Sequence, residues 1–177
     1  MKLGKLEFLP IEERLDLAAE QTKNSIETNS LKGVLVAEID SKLADTAGFC
    51  EHYNIGMDVS ANCVIIEAKR ADKTWYAACL VLATGRADIN GIVRKHLGAK
   101  KLSFAPTEAA VSLTKMEFGG ITPIGLPKDW PILVDESVAT KECAVIGSGI
   151  RGSKLLVSGK LLASLPNATV MNLVKNA

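Results

Sequence analysis

Two runs of strand-forming residues, NCVIIEAK (Asn62–Lys69) and TWYAACLVLA (Thr74–Ala83), are separated only by the stretch Arg70-Ala71-Asp72-Lys73. β-Branched and aromatic side chains suit a pleated surface, and so short a connection leaves no room for a crossover helix. The two runs therefore pair as an antiparallel hairpin, and the sheet that holds them is not purely parallel. Around them the pattern alternates. GVLVAEI (Gly33–Ile39) is a short apolar run that predicts a buried strand. Helical spacing over IEERLDLAAEQTKNSIE, behind Pro10, predicts one amphipathic helix with Ile11, Leu15, Ala18 and Ala19 on a face. A second helix is expected from about Lys42 to Tyr53, capped by Asp40 or Ser41. A third runs from Arg86 to Leu97, where Gly98 suits the C-terminal cap and Asp88 the first turn. A fourth opens at Pro106. Lys100–Phe104, ILVD, ECAVIG and SKLLV read as strands, and Ser158 can cap a last helix. Interleaved hairpins and helices define a single α/β domain of the α+β type, with a mixed central β-sheet flanked by helices.

The chain has 177 residues, 47% hydrophobic and 23% charged, which is one domain's worth of ordinary globular sequence. Its net charge of +1 provides no global basic field, so a nucleic-acid contact has to be local, such as a grip on one acceptor end. Cys50, Cys63, Cys79 and Cys143 include no CxxC pair, and His52 and His96 are the only imidazoles, so metal-ligand spacing is absent. Reduced thiols, no stretch near ~20 apolar residues and no apolar leader point to a cytoplasmic chain without a membrane segment.

The segment FGGITPIGLP (Phe118–Pro127) holds three glycines and two prolines and cannot be regular structure. A second glycine loop, Gly147-Ser148-Gly149-Ile150-Arg151-Gly152, matches GxGxxG. The dinucleotide fingerprint needs a helix to start at that loop and an acid about 20 residues later. SKLLV follows instead, and Asn167–Asn172 contains no acid, so a strand-turn-strand loop is the better reading and a nucleotide-dependent oxidoreductase the weaker one. Arg151 and Lys154 beside it could hold a phosphate or carboxylate, or simply be solvated. Trp75 and Trp130 could stack on a base or pack in the core. Arg94, Lys95, Lys100 and Lys101 could meet acceptor-stem phosphates or form a solvated face.

Taken together, the two loops and the unit LGAKKLSFA before them resemble the YbaK and prolyl-tRNA synthetase-associated editing domains, the INS superfamily. The likeness runs from about Val34 onward, so residues 1–32 are expected to be an N-terminal helical extension packed on an editing domain of residues 33–177. The resemblance implies a metal-free and cofactor-free deacylase. It would hydrolyse the ester at the aminoacyl-tRNA 3′ end, acting free-standing or from within a synthetase. It implies a catalytic pocket built from Gly119, Gly120, Ile121, Thr122 and Pro123, whose backbone N–H groups face the scissile carbonyl. Ser148, Gly149, Ile150, Arg151 and Gly152 would form the substrate-binding wall opposite. Many members carry a lysine where this chain has Asn62, which can hydrogen-bond a substrate but supplies no charge. That departure keeps a second reading open, a module of the same fold that binds a tRNA end or an aminoacyl-adenosine-like ligand without turnover. Formation of a homo-oligomer is left open.

Overall fold

The computed structural model describes residues 1–175. The strands are β1 (Lys2–Leu3), β2 (Leu6–Glu7), β3 (Leu9–Pro10), β4 (Leu35–Glu38), β5 (Ala61–Arg70), β6 (Lys73–Leu82), β7 (Lys101–Phe104), β8 (Ile132–Asp135), β9 (Ala144–Gly147), β10 (Ser153–Val157) and β11 (Ala168–Met171). The helices are α1 (Glu20–Thr28), α2 (Thr46–Tyr53), α3 (Arg94–His96), α4 (Thr107–Thr114), α5 (Glu136–Ala139) and α6 (Gly159–Ala163).

The hairpin β5–β6 is the spine. It pairs from Ala61↔Leu82 to Arg70↔Lys73, which shortens the connection to Ala71-Asp72, with Ala71 in the left-handed region at φ 54°. β8 lies parallel to β6, β11 parallel to β8, and β7 antiparallel to β5, giving a mixed sheet of order β11-β8-β6-β5-β7. β3, β4, β10 and β9 form a second, antiparallel sheet of order β3-β4-β10-β9. The expected mixed α/β domain is present, with its strands shared between two larger sheets and a two-stranded antiparallel ribbon, β1–β2, rather than gathered in one. A bridge between Ser60 and Val145, with Val145 N–H donating to Val59 O at 2.8 Å, joins them at one corner.

The main core fills the space between the sheets. Ile65, Ala78, Leu80, Ile132 and Val134 from one sheet belong to the same buried cluster as Val36, Ile146, Leu155 and Val157 from the other. Trp130 is buried there and stacks on Tyr76, 5.3 Å between centroids, so it is a core residue and not a free platform for a base. The outer face of the second sheet, carrying Val145 and Leu156, is covered by Phe49 and Cys50 of α2 together with Phe8. The outer face of the first, carrying Ile66, Cys79, Leu133 and Leu102, lies under Val93 and Leu173.

Three expected helices are changed by tertiary contacts. The helix over residues 11–27 breaks into 3-10 turns at Ile11–Glu13 and Leu15–Leu17 before α1 begins at Glu20. Ala19 N–H donates to Ser148 O at 3.0 Å, and Leu17 O accepts from the Ser153 hydroxyl, so this backbone bonds to the second glycine loop instead of to itself. Ile11, Leu17, Ala18, Ala19 and Ile26 are all in the main core. The helix expected from Lys42 starts at Thr46, because Asp45 caps it by accepting from Gly48 N–H at 3.0 Å, while Asp40 caps a separate 3-10 turn, Ser41–Leu43. The helix over residues 86–97 is a π turn, Ile89–Val93, leading into α3. Its N-terminus is held by Asp88, whose carboxylate accepts from Gly91 and Ile92 N–H.

Cys63 and Cys79 stand on neighbouring strands but are not register partners, since Cys63 faces Leu80 and Cys79 faces Val64; all four cysteines are free thiols. Burial pushes the Cys79 thiol up to about 12. The folded protein therefore keeps a proton that the unfolded chain releases near ~8.5. This contribution to stability is complete below that pH and is lost as pH rises toward about 12. Native Cys79 is expected to resist alkylation at pH 8 and to label fully in denaturant, which peptide mass spectrometry reads directly.

Candidate active site

The seam between the two sheets opens into a cleft of about 460 Å³. β7 pairs with β5 only over Ile66–Lys69, and β9 meets the chain before β5 at Ser60, so the edge of β5 from Asn62 to Val64 is uncovered on that side. This edge forms one wall. The start of α2 and the turn before it (Ala44, Asp45, Thr46, Phe49) form another. Gly147 and Lys154 supply the floor from the second sheet, and Phe118, Gly119 and Ile121 close the cleft from the first glycine loop.

The sequence-derived residues divide into two groups. Asn62, Gly119, Ile121 and Arg151 line the cleft. Asn62 is half-buried, and its Oδ1 accepts from the Thr46 hydroxyl at 2.6 Å. Arg151 ties three segments together: its backbone N–H donates to the Glu117 carboxylate at 2.6 Å, Nη1 to Phe118 O at 2.9 Å, and Nη2 to Ser41 O at 3.0 Å. This makes it a clamp on the cleft wall, with its guanidinium drawn over Gly119. Gly119 has φ 84°, the reason for glycine there, and a Cβ at this position, 2.6 Å from Nη1, would also push aside the Arg151 guanidinium.

The other residues hold the two loops against each other. Gly149 N–H donates to Gly120 O at 2.7 Å, and Glu117 N–H to Gly149 O at 2.9 Å. Gly120 N–H donates to Glu117 O at 2.9 Å, so the expected role of this amide as an oxyanion donor is corrected: it is already engaged. Ser148, expected on the pocket wall, is fully buried inside its own loop, where its hydroxyl lies 2.7 Å from the Ser153 hydroxyl. Gly149, at φ 89°, packs on Ala19, and Ile150 is a half-buried partner of the main core. Gly152 accepts from Ile39 N–H through its carbonyl at 2.9 Å. Thr122 is buried, and its hydroxyl has no hydrogen-bond partner among the described residues. Pro123 faces a different depression, shared with Gly125, Leu126 and Trp130. The main-chain N–H groups of Gly119 and Ile121 have no partner among the described residues and flank the cleft.

One feature of the cleft carries almost no sign in the sequence, and one residue read from the sequence stands in an unexpected setting. Phe104 and Phe118 are 65% and 61% exposed and both border the cleft, an unusual exposure for phenylalanine. Their signal was slight: an apolar residue ending a short edge strand, and one preceding a glycine pair. Lys154, read from the sequence as a holder of a phosphate or carboxylate or else as a solvated cation, is not solvated: it is buried to 7% exposure on the central strand β10. Its Nζ donates to Ala44 O at 2.9 Å and stands 5.3 Å from the centre of the Phe49 ring. Burial lowers its pKa, opposed by Cys50 and Asp45 and reinforced by Arg151.

The remaining candidates carry less. His52 packs edge-on against Tyr53 and His96 lies in the last turn of α3. Arg70, Arg94, Lys95 and Lys100 border a shallow basic groove. No group of three or more His, Cys, Asp or Glu side chains able to hold a metal ion occurs among the described residues, nor does a helix long and apolar enough to cross a membrane.

Residues 40–165 match the model of the aminoacyl-tRNA editing domain, and the chain belongs to that family. Over 86 residues it is 33% identical to a proline--tRNA ligase of Streptococcus pneumoniae (strain Hungary19A-6); that stretch is 48% of this chain but 14% of the ligase. In fold it is similar to a crystal structure described as "a putative trans-editing enzyme for prolyl tRNA synthetase", with a TM-score of 0.75 and 18% identity over 89% of this chain and 99% of that one. It is likewise similar to the hypothetical protein APE2540, at a TM-score of 0.77 and 18% identity, over 88% of this chain and all of that one.

Proposed function

We propose that this protein is an aminoacyl-tRNA deacylase acting in trans, and that the seam cleft receives the aminoacylated 3′ end of a mischarged tRNA. The observation that carries this reading is the meeting, in one cleft of an editing-domain fold, of Gly119 and Ile121, Arg151, and the uncovered edge of β5 at Asn62. Water adds to the ester carbonyl carbon, the bond to the ribose oxygen breaks, and that oxygen takes a proton. The products are a free amino acid and the tRNA hydroxyl. The free N–H groups of Gly119 and Ile121 are the backbone donors best placed to stabilise the charge that grows on the carbonyl oxygen. Thr46, Asn62 and Cys63 would contact the amino-acid moiety, which the cleft sorts by size at about 1–3 kcal/mol per methylene.

The terminal bases would lie at the mouth, where Phe104 and Phe118 offer faces for stacking. Phe104→Ala and Phe118→Ala are each expected to raise KM with little change in kcat, because base stacking on an aromatic contributes about 1–3 kcal/mol. Steady-state deacylation with each variant checks this. The test of the reading itself is a panel of tRNAs charged with small and medium amino acids. Accelerated release from at least one is the expected result, and no acceleration with any of them overturns it. Asn62 favours a second reading, binding without turnover, since its oxygen is held by Thr46 and it brings no charge. Saturable binding of charged tRNA with no release of amino acid would select it.

A further inference from the structure

Lysine is among the residues least often fully buried unless paired, because desolvating an ammonium is costly. Among the described residues Lys154 is buried with no carboxylate in ion-pair contact, Asp45 acting on it only from a distance, and its hydrogen bond is the one to Ala44 O. An ammonium has three N–H donors. Two are therefore unspent among the described residues, in a side chain that borders the cleft. Lys154 and Asn62 are anchored to the same short segment, one through Ala44 O and the other through the Thr46 hydroxyl. The two side chains thus converge on one end of the cleft from different sheets. The phenyl ring of Phe49 stands beside the ammonium and keeps the surroundings low in dielectric, where a cation acts strongly on a developing negative charge.

We propose that Lys154 is a substrate-contacting residue which supplies from β10 the positive charge that β5 lacks at Asn62, its ammonium donating to the carbonyl oxygen of the bound aminoacyl ester. Lys154 acts in its ammonium form and gives up no proton in the step; the proton that reaches the ribose oxygen comes from water. This inference rests on the deacylase reading and deepens it.

The experiment compares the wild type with Lys154→Met and with the double variant Lys154→Met/Asn62→Lys. Each is assayed for deacylation, for binding of a 3′-aminoacylamino-adenosine whose amide cannot be released by the enzyme, and for thermal stability. Removing one donor to a developing oxyanion typically lowers kcat by about 10²–10³-fold. Lys154→Met is expected to lose that much in kcat while KM changes by less than roughly threefold and Tm holds or rises, since an apolar isostere of a buried cation is often stabilising. The double variant is expected to recover at least about tenfold of the lost rate, because a lysine on β5 restores the charge. A Lys154→Met protein within threefold of wild-type kcat overturns the proposal. So does a parallel loss of activity and Tm that the second substitution leaves unrepaired, which marks a purely structural lysine. A wild type that binds the amide without hydrolysing esters refutes the deacylase reading alone; Lys154 then stands if Lys154→Met weakens that binding at least about tenfold and falls if it does not. A wild type that neither hydrolyses nor binds overturns both.

Discussion

A valine at position 120 is expected to abolish deacylation and to lower the melting temperature together. A Cβ on Gly120 would stand 2.5 Å from Ile150 O, 2.6 Å from its carbonyl carbon and 2.9 Å from its nitrogen. All three are backbone atoms, so no side-chain rotation relieves the clash. The loops must separate, and the hydrogen bond from Gly149 N–H to Gly120 O goes with them. Overpacking of this kind costs about 1–3 kcal/mol or more. For a chain of this length that corresponds to roughly 2–4 °C per kcal/mol. Activity falls further than stability because Gly119 and Ile121, on either side, form the cleft wall. Gly147→Val should behave alike, since its Cβ would meet Gly120 O at 2.4 Å and Ile121 O at 2.6 Å. Thermal melts and deacylation rates of the two variants check this. Wild-type values in both assays would mean that the loops do not touch.

The second large effect lies away from the cleft. Asp135 is buried at the end of β8, where its Oδ1 accepts from Ser137 N–H at 3.0 Å and also from the Ser137 hydroxyl. Its Oδ2 accepts from Leu173 N–H at 2.8 Å. One carboxylate thus caps α5 and ties down the segment after β11. Asp135→Ala leaves both N–H groups without that acceptor, and a buried orphan donor costs about 1–3 kcal/mol. The expected loss is the sum, roughly 2–6 kcal/mol, read as a fall in the urea midpoint. Asp135→Asn, which keeps one acceptor oxygen, should fall between. An unfolding free energy from the urea melt within about 0.5 kcal/mol of wild type, the range of an ordinary surface change, would contradict the bridge.

Much of the fold was legible because the β5–β6 hairpin is specified locally, by strand-forming composition on both sides of a short turn. The glycine loops were legible as irregular for an equally local reason, the backbone demands of Gly119 and Gly149 and the prolines between. What could not be read was which amides those loops spend on each other. Gly120 and Gly149 look identical in sequence to glycines that would leave their N–H groups free. Only the contact between segments some thirty residues apart shows that they are engaged, and that the cleft lies alongside the loop pair rather than between its members. The N-terminal segment departs from its pattern for the same reason: the periodicity of Ile11, Leu15, Ala18 and Ala19 is real, but bonds to Ser148 and Ser153 outcompete it. A serine in a glycine loop resembles a ligand contact, which is why the sequence points Ser148 to the wall. Its neighbour in space, Ser153, turns it inward. Lys154 carries no local sign of burial, since a strand reading SKLLV places its lysine equally well in solvent.

The central claim is that the seam cleft, and no other depression, holds the aminoacylated end. Backbone NMR spectra titrated with 3′-aminoacylamino-adenosine test it most directly. Shifts concentrated at Asn62, Cys63, Phe118 to Ile121, Gly147 and Arg151 are the predicted result. Shifts confined to the groove around Arg94 and Lys95 or to the depression around Gly125 and Trp130, with the seam unmoved, would contradict it.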